Sequence, residues 1–89
     1  MKIKNGFVVE RVGSKYLAVA VGVRADEFNA LIRMNETGAF IWQKLAESDR
    51  SAGELAKLLC AEYSVPEDVA ASDVAAFIEK LRAAGLLDE

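Results

Sequence analysis

Few residues in this chain of 89 residues have the types and spacing that catalysis requires. There is no histidine and a single cysteine, Cys60, so neither a histidine general base nor an intramolecular disulfide is available. A zinc site built from cysteine and histidine lacks its ligands for the same reason. Cys60 lies at helical spacing among Leu55, Leu58 and Leu59, which is typical of a small buried side chain rather than of a nucleophile.

The acidic residues provide no clear catalytic pair either. They occur partly as neighbours, at Asp26/Glu27, Glu67/Asp68 and Asp88/Glu89. None of these pairs lies in a run that marks a pocket, so we interpret them as solvated faces or helix N-terminal charges. Gly6 and Gly13 are too far apart for a phosphate-binding loop. The sequence therefore predicts no catalytic residue, no metal ligand and no cofactor.

Composition restricts the class of protein further. The chain is 53% apolar, which is enough for a packed core, and 89 residues predict a single domain over residues 1–89. A net charge of −3 disfavours nucleic-acid binding, because affinity for nucleic acid comes mostly from Lys and Arg contacts to phosphates. No apolar run approaches the length of a membrane span, and the first seven residues lack a signal-peptide core. A soluble cytoplasmic protein is expected.

The first part of the chain has the pattern of strands. Residues Phe7 to Val12 and Tyr16 to Val21 predict a hairpin around a turn at residues 13–15, with the second strand central in its sheet. After a longer connection, Phe28 to Met34 predicts a third strand. Side chains alternate along a strand, so one face of this strand carries Phe28, Ala30, Ile32 and Met34, and we expect that face to meet the core.

The remainder has the pattern of helices. Asn35 is a predicted N-cap and Ser51 to Glu54 is a predicted capping box. Pro66 suits the first turn of the third helix, and Gly85 suits the cap that follows it. The predicted helices run from about Glu36 to Ala46, from about Ala52 to Glu62, and from residues 64–67 to about Ala84. Strands followed by helices predict an α+β fold, winged helix-turn-helix-like, with a three-stranded antiparallel sheet followed by three helices.

Two functions fit this order of elements. In a winged-helix DNA-binding regulator the third helix would contact the bases. Recognition helices present Arg, Lys, Asn or Gln to base edges, whereas most of the charged residues of this helix are acidic. Alternatively, the third strand is a sheet edge with no proline and one charge, Arg33, and such an edge accepts an extended peptide as an added strand. The pattern leaves open whether a helix or a second copy of the chain covers that edge.

Ordered motifs from Met34 to Leu87 resemble the PqqD-like family, also called RiPP recognition elements. The first is MNETGAFIW at 34–42, and a Ser-x-x-Glu-Leu start follows at 51–55. Next are Leu-x-x-x-Tyr-x-Val at 59–65 and Asp-Val-x-x-Phe-Ile-x-x-Leu-x-x-x-Gly-Leu-Leu at 73–87. Each fragment is weak alone, but the ordered set is specific.

The resemblance implies a non-catalytic peptide-binding chaperone or adaptor. Such a domain binds the leader of a ribosomally made precursor peptide by strand addition and presents it to a modifying enzyme, for example a radical SAM protein. The loop at residues 22–27 is longer than a tight turn, so no particular pathway is assigned. The alternatives kept are a winged-helix DNA-binding regulator and a generic protein-interaction module.

The resemblance also implies where the leader would bind, in a groove between the third strand and the third helix. The predicted peptide-binding residues on the strand are Phe28, Asn29, Ala30, Leu31, Ile32, Arg33 and Met34. Those on the helix are Val69, Asp73, Ala76, Phe77 and Lys80, with Leu81 at the floor. Arg33 and Lys80 are expected to meet acidic leader residues, and apolar leader residues are expected beside Leu31 and Phe77. The predicted partners are the leader peptide and its modifying enzyme, without nucleic acid or membrane, and a homodimer stays open.

Overall fold

The computed structural model describes residues 1–21 and 32–88 of the chain. Within these ranges the strands are β1 (Lys2–Ile3), β2 (Phe7–Val12), β3 (Lys15–Ala20), β4 (Ile32–Met34) and β5 (Leu87–Asp88). The helices there are α1 (Glu36–Glu47), α2 (Ala52–Tyr63) and α3 (Glu67–Ala83). A three-stranded antiparallel sheet in the order β2-β3-β4 is followed by the three helices, which confirms the predicted α+β class.

The hairpin of β2 and β3 forms as its sequence predicts. Val12 pairs with Lys15, so the turn contains only Gly13 and Ser14, and Lys15 belongs to β3 rather than to the turn. Gly13 has a φ of +63°, which a side chain at this position would disfavour. As predicted, β3 is the central strand.

Strand β4 pairs antiparallel with β3, with Met34 opposite Tyr16 and Ile32 opposite Ala18. Ile32 and Met34 are buried and Arg33 is exposed, so the predicted alternation is confirmed over these three residues. The rest of the predicted third strand, Phe28, Asn29, Ala30 and Leu31, lies outside the described residues.

Helix α1 begins where its sequence predicts. The Asn35 side chain accepts a hydrogen bond from the Gly38 N–H at 2.9 Å, which satisfies one of the free donors of the first turn. Ile41, Trp42 and Leu45 are buried, and Phe40 is half-buried.

The other two helices also begin and end at the predicted signals. Ser51 and Glu54 form the capping box of α2, with both reciprocal hydrogen bonds present. Pro66 is the N-cap of α3 rather than a residue of its first turn, and Gly85 follows the helix with a φ of +76°. Leu86 is 2% exposed and closes over the end of the helix.

Strands β1 and β5 form a second, two-stranded antiparallel sheet that the sequence did not predict. Two-residue strands are too short to show the alternation by which strands are recognised. The Arg50 N–H donates to the Met1 carbonyl at 2.9 Å, and the N-terminal ammonium donates to Asp49. This hydrogen bond and the ammonium charge lower the pKa of the Asp49 carboxyl.

The core lies between the inner face of the β2-β3-β4 sheet and the three helices. Its fully buried large side chains include Ile41, Leu45, Leu55, Leu59, Leu81 and Leu86. In the part of the chain that the structure describes, no helix is long and apolar enough to cross a membrane.

Candidate functional site

The sheet register determines which backbone groups of β4 face away from the sheet. Pairs in an antiparallel ladder alternate between those that exchange hydrogen bonds and those whose N–H and C=O groups point apart. The Val21 N–H donates to the Gly6 carbonyl at 2.9 Å, which fixes the phase of this alternation along β3. The backbone N–H and C=O of Leu17 therefore form hydrogen bonds with β2. Its partner on β4, Arg33, directs its own backbone N–H and C=O to the outer edge of β4.

The outward carbonyl of Arg33 is contacted by helix α3. The Lys80 ammonium donates a hydrogen bond to it, with 2.8 Å between Nζ and the carbonyl oxygen. This bond joins the edge of the sheet to the third helix across 47 residues of sequence. The strand edge and the exposed side of α3 therefore face the same space.

That space is a cavity of about 340 Å³, which we call the β4 groove. Six of the sequence-predicted residues line it: Arg33, Met34, Asp73, Ala76, Phe77 and Lys80. The first turns of α1 complete the groove with Asn35, Thr37, Gly38 and Ile41. A cavity of this size, bounded by a strand edge and a helix, accommodates a few residues of extended peptide.

Three predicted residues in the described ranges lie outside the groove lining. Val69 is 42% exposed near the start of α3, and Leu81 is fully buried behind the groove. Ile32 is buried on the inner face of the sheet, and its backbone bonds towards Ala18 on β3. Phe28, Asn29, Ala30 and Leu31 are not among the described residues.

The contribution of α1 to the groove was missed from sequence, which placed the groove between the third strand and the third helix alone. Gly38 explains why the helix approaches so closely. A Cβ at this position would lie 3.2 Å from Phe77 Cε1, closer than most packed atoms approach, and 3.4 Å from Met34 Cβ. The Thr-Gly pair of the family motif was the available signal, because a helical glycine marks a close approach to a neighbour.

The charges of the β4 groove are of both signs. Arg33 and Lys80 supply two cations beside the strand edge, and Asp73 supplies one carboxylate. Asp73 and Lys80 are seven residues apart on α3, which is about 10.5 Å or two helical turns. Phe77 lies between them and is 9% exposed, so the helical wall is apolar in its middle and charged at both ends.

A second cavity of about 520 Å³, the β2 groove, lies on the other side of α1. Its wall on the sheet is formed by Phe7, Val9 and Tyr16. Its helical wall includes Phe40 and Tyr63, whose rings meet edge to face with 5.5 Å between centroids, and the carboxylates of Glu36 and Glu62.

The surroundings of Tyr63 make the β2 groove electrostatically distinct. Desolvation, followed by the charges of Glu36 and Glu62, raises the pKa of the Tyr63 phenol. This groove therefore disfavours additional negative charge.

The remaining chemically reactive groups do not form a site. Cys60 is a free, half-buried cysteine on α2. Among residues 1–21 and 32–88, no group of three or more Cys, Asp or Glu side chains is arranged to hold a metal ion.

Comparisons with known proteins agree with this architecture. The chain is similar to one in the structure of TbiB1 in complex with the TbiA(beta) leader peptide. The TM-score is 0.73 at 25% identity, over 99% of this chain and 95% of that one. It is also similar in fold to a chain in the structure of lasso peptide synthetase B1 complexed with the leader peptide. That TM-score is 0.68 at 22% identity, over 96% and 93% of the two chains. A comparison with the curated proteins found no match.

The family comparison agrees with the motif resemblance. The match to the model of coenzyme PQQ synthesis protein D (PqqD) spans residues 9–87, which include most of β2, all of β3 and β4, and all three described helices. The chain belongs to the PqqD family.

Proposed function

We propose that this protein is a non-catalytic adaptor that binds the leader of a ribosomally made precursor peptide and presents it to a modifying enzyme. One observation carries the proposal: a chain of the same architecture, similar over 99% of this protein, was solved in complex with a leader peptide. The β4 groove supplies a physical basis for such binding, because it combines an outward strand edge with an apolar helical wall.

The binding mode that fits this groove is strand addition. An added strand would pair with the outward N–H and C=O of Arg33, and its side chains would alternate between solvent and the wall formed by Ala76 and Phe77. Main-chain hydrogen bonds would supply affinity that depends little on sequence, and the wall would select apolar side chains. On this proposal the leader strand runs along the whole predicted edge, Phe28 to Met34.

The polar residues of α3 argue against the DNA-binding alternative. Its exposed charges include Glu67, Asp68, Asp73 and Glu79 against Lys80 and Arg82, so the helix is acidic over most of its length. A recognition helix requires the opposite balance, because it approaches a polyanion. No observation in the structure favours a DNA-binding role.

The proposed absence of catalysis rests on the chemistry available. The sequence has no histidine, and its single cysteine, Cys60, lies on α2 away from the β4 groove. A protein of this kind acts by raising the local concentration of the precursor at a separate enzyme. We propose a radical SAM protein or another peptide-modifying enzyme as that partner, and the cytoplasm, where the precursor is synthesised, as the compartment.

NMR titration of the 15N-labelled full chain tests the proposal. The probe is a synthetic leader from a short precursor reading frame found beside this chain's gene, and a scrambled peptide of the same composition is the control. We expect saturable shift changes at Arg33 and along α3 from Asp73 to Lys80. Changes centred on β2, or equal binding of the scrambled peptide, would contradict strand addition at β4.

A parallel titration with a 20-base-pair DNA duplex addresses the alternative function. We expect no binding at low salt, since the acidic face of α3 repels phosphates. Binding that weakens steeply with added salt would instead support a regulator.

A further inference from the structure

The bond between Lys80 and the edge of β4 has a consequence for any strand that pairs there. We infer that Lys80 occupies, in the free protein, the backbone acceptor that the leader must use. The incoming strand displaces the Lys80 ammonium, which then pairs with a carboxylate of the leader. This inference rests on the proposed leader-binding function and adds to it a specificity rule: the leader carries an acidic residue beside the residue that pairs with Arg33.

The geometry of the free edge supports the displacement step. Arg33 is the residue of β4 whose backbone faces outward, and its carbonyl accepts from Lys80 Nζ at 2.8 Å. The carbonyl oxygen of an edge strand is the acceptor for the N–H of an added strand. The ammonium and the strand N–H therefore meet at the same oxygen, and on this inference the added strand displaces the ammonium.

The chemistry of the lysine supports the second step. An ammonium offers three donors and hydrogen bonds best to charged acceptors, so release from a neutral carbonyl leaves it to be re-paired. The helix and the strand edge are already in contact through this bond, which places the freed ammonium next to the added strand. A carboxylate on the leader at that position would replace the lost hydrogen bond with a stronger, charge-assisted one.

The remaining groove charges are consistent with one acidic position rather than a uniformly acidic leader. Arg33 carries a second exposed cation on the same edge, whereas Asp73 lies two helical turns from Lys80 and would repel a second carboxylate there. A leader that is acidic near Arg33 and Lys80 and not acidic near Asp73 matches this arrangement.

The first measurement needs no ligand. In the Lys80→Met variant of the full chain, we expect the Arg33 carbonyl carbon to shift upfield in the NMR spectrum, because it loses a charged donor. The matched control is Lys57→Met, which removes the same charge from an exposed position on α2 that does not line the β4 groove. An Arg33 carbonyl that responds equally to both substitutions would overturn the inference.

The second measurement is a thermodynamic cycle between protein and leader. The probe is the synthetic leader described above, in which each acidic residue in turn is replaced by its amide, Asp→Asn or Glu→Gln. We expect one such replacement to weaken binding to the wild-type protein about three- to tenfold and to leave binding to Lys80→Met unchanged. Lys80→Arg, which keeps the charge and the donors, should restore the dependence on that acidic residue.

The outcomes separate the two proposals. A leader that binds through β4 but shows no coupling between any acidic residue and Lys80 overturns the inference and leaves the proposed function intact. A leader that fails to bind the wild-type protein overturns the proposed function itself. Amide-substituted leaders should also bind Lys80→Met more tightly than the wild type, because nothing then has to be displaced, and the reverse order would contradict the displacement step.

Discussion

The grooves on the two sides of α1 differ in the features that the proposed strand addition to β4 would use. The β2 groove is larger, about 520 Å³ against about 340 Å³. It is walled by aromatic rings and carries Glu36 and Glu62, and desolvation with these charges raises the pKa of Tyr63. The smaller β4 groove carries Arg33 and Lys80 beside the strand edge and has the face of α3 as its wall. Volume alone therefore does not favour the β4 groove, and the proposal of strand addition there rests on its combination of strand edge, helical wall and charge.

Both sheet edges have outward backbone groups, so the edge alone does not distinguish the grooves. By the alternation that places Arg33 outward, Val9 also directs its N–H and C=O away from β3. Val8, Val9 and Val12 are at least 40% exposed on β2, whereas on β4 the Arg33 carbonyl accepts a hydrogen bond from Lys80 of α3. The contrast predicts that substitutions matched across the two edges will have different effects on leader binding.

The largest expected effect is at the helical wall. Phe77 is 9% exposed, and its truncation to Ala should lower the free energy of unfolding by about 3 kcal/mol, from lost burial and the cavity left behind. Phe7 is the matched residue of the β2 groove and is only half-buried, so Phe7→Ala should cost about 1 to 2 kcal/mol. Urea unfolding measures both changes.

The same pair of phenylalanines tests which groove binds the leader. Phe77→Leu keeps most of the packing volume, so it allows the leader affinity to be measured on a folded protein. We expect weaker leader binding for Phe77→Leu and unchanged binding for Phe7→Leu. The reverse pattern would assign the leader to the β2 groove.

The next largest effect should come from the strand edges. Arg33→Pro removes the outward N–H of β4 without removing a bond to β3, and its ring obstructs the edge. We expect leader affinity to fall at least about tenfold, the equivalent of one or two lost hydrogen bonds. Val9→Pro makes the same change on β2 and should leave leader affinity unchanged, as isothermal titration calorimetry would show.

Two controls make the proline comparison decisive. Arg33→Ala removes the side chain but keeps the N–H, so a loss for Pro that exceeds the loss for Ala is due to the backbone. Circular dichroism shows whether both proline variants remain folded. Equal effects of Arg33→Pro and Val9→Pro in folded proteins would mean that the leader does not add to β4.

The difference between the grooves also shows what could be predicted from sequence. The β2-β3 hairpin, the helix caps and the helix ends were predictable because they depend on local signals, such as Asn35 at the start of α1 and Gly85 after α3. Six residues of the β4 groove were predictable because the family resemblance named the strand and helix that form it. Their assembly around one cavity follows from the fold, whereas their role in binding stays a prediction.

Features that depend on distant contacts were not predictable. The bond between Lys80 and Arg33 joins residues 47 positions apart, and it depends on which backbone groups the sheet register turns outward. The lining supplied by α1 was missed because Thr37 and Gly38 look like ordinary first-turn residues until Phe77 is seen to pack against them. The pairing of β1 with β5 was missed because two-residue strands have no period to detect.

A smaller effect should come from the glycines of α1 and α2. Replacing an exposed helical Gly by Ala commonly stabilises a protein by about 0.5 to 1 kcal/mol. Gly53→Ala should show part of this gain, because its Cβ would meet only Ser51 Oγ at 3.9 Å. Gly38→Ala should not, because its Cβ would lie 3.2 Å from both Phe77 Cε1 and Asn35 Oδ1. Urea unfolding compares the two, and an equal gain in both variants would show that α1 has room to move away from the β4 groove.

The smallest expected effect is electrostatic and concerns the β2 groove. Desolvation and the charges of Glu36 and Glu62 raise the pKa of Tyr63, so its phenol should ionise with a midpoint above the usual 10.0. A raised pKa means that the folded state holds this proton more tightly than the unfolded state. The contribution to stability is therefore complete below pH 10 and is lost as the pH rises through the folded pKa.

Ultraviolet absorbance at 295 nm in the Tyr16→Phe variant isolates this titration, because the chain has only two tyrosines. Glu36→Gln in that background should lower the midpoint and leave it above 10.0, since desolvation is the larger cause. The matched substitution Asp73→Asn changes a carboxylate of the β4 groove and should leave the Tyr63 midpoint where it was. A midpoint that responds to Asp73 as strongly as to Glu36 would mean that the two grooves share one electrostatic environment. The charge contrast between them would then no longer explain why an acidic leader would prefer the β4 side of α1.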